Sequence, residues 1–303
     1  MRRVYPLVAL LCGACGGDRA VPAPAAAASA LTQYPDGLPF HYYLIGPNAV
    51  KTAGLVSREL QPGFGVAVVE EREQLARTKQ GEWIPLKDLI AAKPVHFSGQ
   101  SIENGRLELG WVVEARAAIW PKPDGVSKPI GARGAFERVQ LEAEPAPAGW
   151  VHADGGFLRA TQVRVPQLAP RPAEVAPAER WIDVDTASET LVAYEGDRPV
   201  FATLVSTGIG AAGAPLSTPR GTFRIFARLQ TSKMDNLDHD TAPHYSFDEV
   251  PFVQYFNREV ALHGAFWHQR FGHPVSHGCV NLAPLDAQRL FGFTKIGTIV
   301  RVR

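Results

Sequence analysis

Trp181-Ile182-Asp183-Val184-Asp185 is followed by Thr190-Leu191-Val192-Ala193-Tyr194, the turn Glu195-Gly196-Asp197, and the return Pro199-Val200-Phe201-Ala202-Thr203-Leu204-Val205. These runs are rich in β-branched and aromatic residues, and two of them flank a Gly-Asp turn, which predicts a hairpin. Thr222 to Phe226, Val260 to Leu262 and Thr298 to Val302 carry the same pattern. One helix is expected over Pro284 to Phe291, because proline suits the first helical position. Residues 180–303 therefore predict a mainly β domain with a short helix.

Upstream, 167–179 is proline-rich and predicts a linker. Between 36 and 166 the chain breaks into short β segments and turns, among them Gly65 to Glu70, Leu107 to Val113, Ala115 to Trp120, and Trp150-Val151-His152 into Gly155 to Arg159. Ile119-Trp120-Pro121, Asp124-Gly125 and the last of these segments resemble a bacterial SH3-like module. Glu82 to Leu89 is similar to the end of a second one. The region 36–166 is thus expected to hold one or two such modules, either as a spacer or as a ligand-binding element.

Residues 1–15 join a basic start, a short apolar core and small residues, the pattern of a secretory signal. Gly13-Ala14-Cys15-Gly16 resembles a lipobox, which implies lipidation at Cys15, although Cys12 stands where an apolar residue is usual. Residues 16–35, rich in alanine and proline, predict a tether. The expected location is the periplasm, at the outer membrane if Cys15 carries lipid. The chain has 303 residues with a formal net charge of +1, so no charge excess points to nucleic acid. Its 25 prolines and 28 glycines favour turns over long helices.

With Cys12 and Cys15 assigned to the signal, Cys279 is left as a lone thiol in an exported protein, where cysteines normally pair. It lies in His263-Gly264-Ala265-Phe266-Trp267-His268, then Phe271-Gly272-His273-Pro274-Val275-Ser276-His277-Gly278-Cys279-Val280-Asn281. Thiolate chemistry needs a base, commonly histidine, a backbone that approaches the substrate closely, and N–H donors for the oxyanion. The histidines, Gly278 and the backbone around Gly278 and Cys279 are candidates for all three.

Ser276 to Asn281 with His263 upstream resembles the signature of YkuD-type L,D-transpeptidases. The resemblance extends to Val205 to Gly208, Ser217 to Ile225, Val250 to Phe252, Leu285 to Ala287 and Gly297 to Val300. It implies a YkuD-like β-sandwich or barrel-type domain without a cofactor, monomeric, acting on peptidoglycan stem peptides. In that reading Cys279 is the nucleophile and His263 the base, with its ring oriented by the carbonyl of Gly264. His277, Gly278 and Cys279 frame the oxyanion site, Ser276 and Asn281 hold the loop, Met234 belongs to a lid and Trp267 to the pocket wall. The Gly-Ala stretch from Ile209 to Ala214 has no counterpart in the pattern.

Three other readings stay open at this point. His244, His263, His268, His273, His277 and Cys279 are zinc-ligand types, although their spacing matches no familiar zinc pattern. Water could take the place of an amine and make the enzyme a carboxypeptidase or endopeptidase. A wall-binding lipoprotein without activity is the non-enzymatic alternative.

Overall fold

The computed structural model describes residues 36–47, 60–238 and 244–303. The segments expected to be a signal and a tether, residues 1–35 with Cys15, lie outside the described residues. Two sheets and a group of small ones carry the chain. In the first sheet the strand order is Val280–Leu282, Val260–Gly264, Ser246–Asn257, Gly65–Arg72, His41–Ile45 and Leu89–Ala91. Ala227–Asp235 pairs along Ser246–Asn257 as a long antiparallel hairpin. In the second sheet the order is Gly221–Arg224, Ile299–Val302, Arg180–Asp185, Thr190–Glu195, Arg198–Leu204 and Gln100–Ser101.

The predicted hairpin forms, with the Gly196 turn at φ +60°, a region glycine enters without Cβ strain. The helix Pro284–Phe293 starts at its predicted proline and runs two residues past the predicted end. The two sheets face each other across a core of Ile182, Val184, Leu191, Phe252, Leu262 and Val280, with Ala287 and Leu290 of the helix closing it.

The outer face of the second sheet is covered as well. Trp181 and Tyr194 are cross-strand partners whose rings stack at 4.3 Å and 12°. Phe97, Trp111 and Val175 pack over them. The proline-rich segment 167–179 is therefore docked: Val175 is buried and the Ala169 amide donates to the Tyr194 hydroxyl at 2.9 Å. On the same face Asp183 is held by Arg301 at 2.7 Å and Arg303 at 2.9 Å.

Sheet pairing also crosses the segment 167–179. His41–Ile45 and Gly65–Arg72 extend the sheet that holds Val280–Leu282, and Gln100–Ser101 adds an edge to the other. Residues 109–164 make three small sheets of their own around Val112, Ala117, Ile119, Val139 and Leu158. That unit touches the loop before Cys279. Arg164 Nε donates to Gly272 O at 2.8 Å, and His273 Nε2 lies 3.3 Å from Val113 O. The approach is close enough that a Cβ on Gly272 would meet Val113 Cγ1 at 2.4 Å.

Candidate active site

Two short parallel strands build the site. Leu262 pairs with Val280, His263 with Asn281 and Gly264 with Leu282. Side chains alternate along a strand, so the partners His263 and Asn281 share one face of the sheet, and Cys279 sits in the bend that leads into the second strand. Leu262 and Val280 take the other face and enter the core.

His263 is 2% exposed. Its Nδ1 lies 3.2 Å from Gly264 O. A carbonyl can only accept, so Nδ1 carries the proton and the lone pair is on Nε2. Burial pushes the imidazole down to about 4, against the opposing pull of the Gly264 carbonyl. Trp267 stacks beside it at 5.7 Å and 29°, and Trp267 in turn lies on Phe247 at 3.9 Å and 11°. Glycine at 264 fits because a Cβ there would sit 3.0 Å from Pro251 Cγ and 3.4 Å from the helix's Ala287.

Cys279 is a free, half-buried thiol packed with Met234, Tyr255 and Trp267. Its Sγ donates to Glu259 O at 3.7 Å. Burial pushes the thiol up to about 11, the Ala261 amide bonded to sulfur pulls it down, and the Glu259 charge raises it further. The resting pair is thus a neutral thiol and a neutral imidazole.

The loop is fixed from two sides. Ser276 Oγ donates to Cys279 O at 2.5 Å and accepts the Gly278 N–H at 3.1 Å. Gly278 holds φ +127°, and a Cβ would meet nothing nearer than Ser217 O at 3.8 Å, so conformation rather than space selects glycine. Val205 to Gly208 runs alongside. Ser206 and Asn281 exchange backbone hydrogen bonds at 3.0 and 2.9 Å, and Thr207 O accepts the Ser276 N–H at 3.0 Å. Thr207 is itself anchored by Glu189, which accepts its N–H at 2.7 Å and its hydroxyl at 2.5 Å.

Cys279 opens into a cavity of about 300 Å³ walled by Met234, Asn236, Tyr245, Tyr255 and Glu259, with Lys233, Asp235 and Asp238 at its charged side. Lys233 pairs with Asp235 at 2.6 Å. Met234 and Cys279 line this cavity, whereas His263, Trp267, His277 and Asn281 lie outside its walls. His277 is exposed and its ring rests 5.0 Å from Tyr245. Partial desolvation of the ring against Tyr245 lowers the His277 imidazole, and burial pushes the Tyr245 hydroxyl up to about 12. Among the described residues no three His, Cys, Asp or Glu side chains gather as a metal site.

Sequence reasoning missed Tyr255 and Glu259 as walls, and Glu189 as an anchor. Tyr255 lies on the twelve-residue strand Ser246–Asn257, whose period is broken by left-handed backbone at Glu249 and Phe252, φ +51° and +57°. Glu189 lies in a turn, where nothing in its neighbours signals a buried carboxylate.

Residues 179–302 match the family described as YkuD, L,D-transpeptidase catalytic domain. No curated protein matches the chain. Among solved structures, an L,D-transpeptidase from Stackebrandtia nassauensis is 27% identical over 43% of this chain and 58% of that one, with a TM-score of 0.34. One from Xylanimonas cellulosilytica is 24% identical over 44% and 64%, TM-score 0.35. One from Mycobacterium smegmatis is 18% identical over 76% and 89%, TM-score 0.38. The chain spans 58% of the first of these and 64% of the second. The family match over 179–302 carries the assignment, and that segment holds His263, Cys279 and the two paired strands beside them. Residues 179–302 are a YkuD L,D-transpeptidase catalytic domain.

Proposed function

We propose that the protein is an exported peptidoglycan L,D-transpeptidase working through a thioester on Cys279. The observation that supports this most is the parallel pairing of His263 with Asn281, which sets the histidine beside the strand that Cys279 leads into, with the thiol itself opening into the cavity. His263 Nε2 takes the thiol proton as sulfur attacks the carbonyl after the third residue of a tetrapeptide stem. Because both groups rest neutral, proton transfer accompanies attack rather than preceding it. The tetrahedral oxyanion forms against the turn His277-Gly278-Cys279, where the Gly278 N–H is held by Ser276 Oγ and the His277 and Cys279 amides are the candidate donors. Collapse expels the amine of D-alanine, which leaves with the proton from the imidazolium. An acceptor amine then attacks the thioester, gives its proton to His263, and the sulfur recovers that proton as it leaves.

Cys279 needs no metal for this chemistry, and the role of His263 as base is worth about 10² to 10⁴ in rate. The signal-like residues 1–15 support export, with Cys15 as the lipidated residue. A fatty-acid label that marks the wild type but not Cys15→Ser is the expected result.

The central test is mass spectrometry of purified tetrapeptide muropeptides incubated with the protein and with Cys279→Ala. A cross-linked dimer or a D-amino-acid-exchanged stem, lost in the variant, is expected. Loss of D-alanine alone would assign hydrolysis to the same thiol, and no product from the wild type would remove the proposal.

A further inference from the structure

Cys279 rests on the turn of the hairpin formed by Ser246–Asn257 and Val260–Gly264. Its Sγ donates to Glu259 O at 3.7 Å and accepts the Ala261 N–H. Glu259, whose backbone touches the sulfur, also lines the cavity into which the sulfur opens.

The charges on that cavity do not balance. Lys233, the cation among the described residues of its walls, is taken up by Asp235 at 2.6 Å. The carboxylates of Asp238 and Glu259 have no partner among the described residues. Behind burial, the Glu259 charge adds to the rise of both the Cys279 thiol and the Tyr245 hydroxyl, so its field reaches across the cavity. A concave wall with an excess of one sign concentrates ions of the other. At about 300 Å³ the space is at the small end of ligand sites, room for a side chain with its amine rather than for a whole stem.

Transfer from the thioester brings a cation to this place. A primary amine is protonated in neutral water. It gives one proton to solvent and attacks as the free amine. Its nitrogen then bears positive charge in the tetrahedral intermediate until the second proton passes to His263 and the C–S bond breaks. A fixed carboxylate stabilises charge where it develops. Water gains nothing from the same wall, because it arrives neutral and its proton goes straight to the imidazole.

Resting on the proposed thioester chemistry, we propose that Glu259 is the specificity-determining residue for the acceptor: its carboxylate, with Asp238, holds a primary ammonium beside Cys279 and favours transfer to an amine over hydrolysis.

Two measurements on the full chain test this, each with Glu259→Gln and Glu259→Asp. The first reads charge alone. Cys279 is labelled at pH 7 with aminoethyl methanethiosulfonate, a cation, or sulfonatoethyl methanethiosulfonate, an anion, and followed by peptide mapping. Relative to free cysteine, the wild type should prefer the cation. That preference should fall about tenfold in Glu259→Gln, the lower end of such steering because Glu259 is exposed. Glu259→Asp should keep it. A change in thiolate fraction affects both reagents alike and cancels in the ratio. The second measurement partitions the acyl-enzyme formed from a tetrapeptide donor. Ethylamine, cationic at pH 7, competes with water, and hydroxylamine, neutral at that pH, is the control. The ratio of ethylamide to hydrolysed stem should fall about tenfold in Glu259→Gln, and the hydroxamate ratio by less.

An equal reagent preference in the wild type and Glu259→Gln would overturn the inference. So would an acyl-enzyme that is only hydrolysed, or one whose partition ignores Glu259. If acetylating the amines of the donor slows D-alanine release in the wild type but not in Glu259→Gln, the cation belongs to the donor and the acceptor role falls. A tetrapeptide that releases no D-alanine at all removes the function, while the thiosulfonate ratio still reads the charge of the cavity.

Discussion

Tyr42 stacks on Phe266 with ring centroids 4.0 Å apart and 26° between planes. Phe266 meets Trp267 edge-on at 5.0 Å and 89°, and Trp267 stacks on the His263 ring. The Tyr42 hydroxyl also donates to Glu249 O at 2.5 Å, where the long strand passes through φ +51°. A strand 221 residues upstream of His263 thus buttresses the ring that packs against it. Tyr42→Ala should destabilise the protein by about 3 kcal/mol, the usual cost of deleting a buried aromatic ring. Tyr42→Phe should cost about 1 kcal/mol for the lost hydrogen bond. Urea denaturation of the two variants checks both, and equal midpoints would show that the ring stack carries nothing.

The catalytic half was legible because its signals are local. The Gly-Asp turn, the alternating strands, Pro284 at a helix start and the ordered motif around Cys279 each lie within a few residues of one another. What was not legible is long-range. Nothing in His41 to Ile45 announces that it will join the sheet of Val280–Leu282, since strand pairing depends on partners distant in sequence. The proline-rich segment 167–179 has the composition of a free linker, yet Val175 and Ala169 dock on Trp181 and Tyr194. The outward side of that sheet is apolar at Trp181, Val192 and Tyr194, so it had to be covered by something. His268 could be identified as a histidine near the site, but its partners, the Arg270 amide and the Asn281 carboxamide, required the fold in place.

The resting protonation of the pair has a kinetic signature. Cys279 is pushed up to about 11 and His263 down to about 4, so at neutral pH almost no thiolate exists without substrate. Alkylation by iodoacetamide should be slow at pH 7 and rise about tenfold per pH unit through pH 9, because only the thiolate reacts. Intact-mass time courses measure this. A preformed thiolate–imidazolium pair would give a rate independent of pH between 6 and 9 and would overturn the neutral assignment.

Glu189 makes the support of the cysteine loop pH-sensitive. Burial pushes its carboxyl from 4.5 up to about 7, partly opposed by its two bonds from Thr207. The folded state therefore holds a proton that the unfolded chain releases at lower pH. Its contribution is complete below pH 4.5 and is lost as pH rises through 7. At about 1.4 kcal/mol per pKa unit the swing is on the order of 3 kcal/mol. Glu189→Gln can accept the Thr207 N–H and donate to its hydroxyl, so it should lack this pH dependence. The variant should gain on the wild type between pH 4.5 and 8 in urea titrations. His263 and His268 act oppositely, losing stability as pH falls from 6.5 towards 4, but they cancel in the comparison. A difference that stays constant with pH would show Glu189 ionised alike in both states.

Gly278→Ala separates conformation from space in the turn beside Cys279. The nearest atoms to an added methyl are Ser217 O at 3.8 Å and Val260 Cγ2 at 3.9 Å, so no clash follows. The backbone at φ +127° is instead one that alanine avoids, and holding it there costs about 1–3 kcal/mol. The loop can relieve that strain only by rotating, which breaks the Gly278 N–H bond to Ser276 Oγ and turns the Cys279 amide away from the attacked carbonyl. Turnover should fall about 10²-fold, the cost of a small misplacement of reacting groups, while the melting temperature drops by only a few degrees. Ser276→Ala removes the same tie without the strain. It should lose less than Gly278→Ala in stability yet approach it in kcat, since both release the turn that carries Cys279. If Ser276→Ala keeps full kcat, the tie is dispensable, and the Gly278 effect is backbone strain alone.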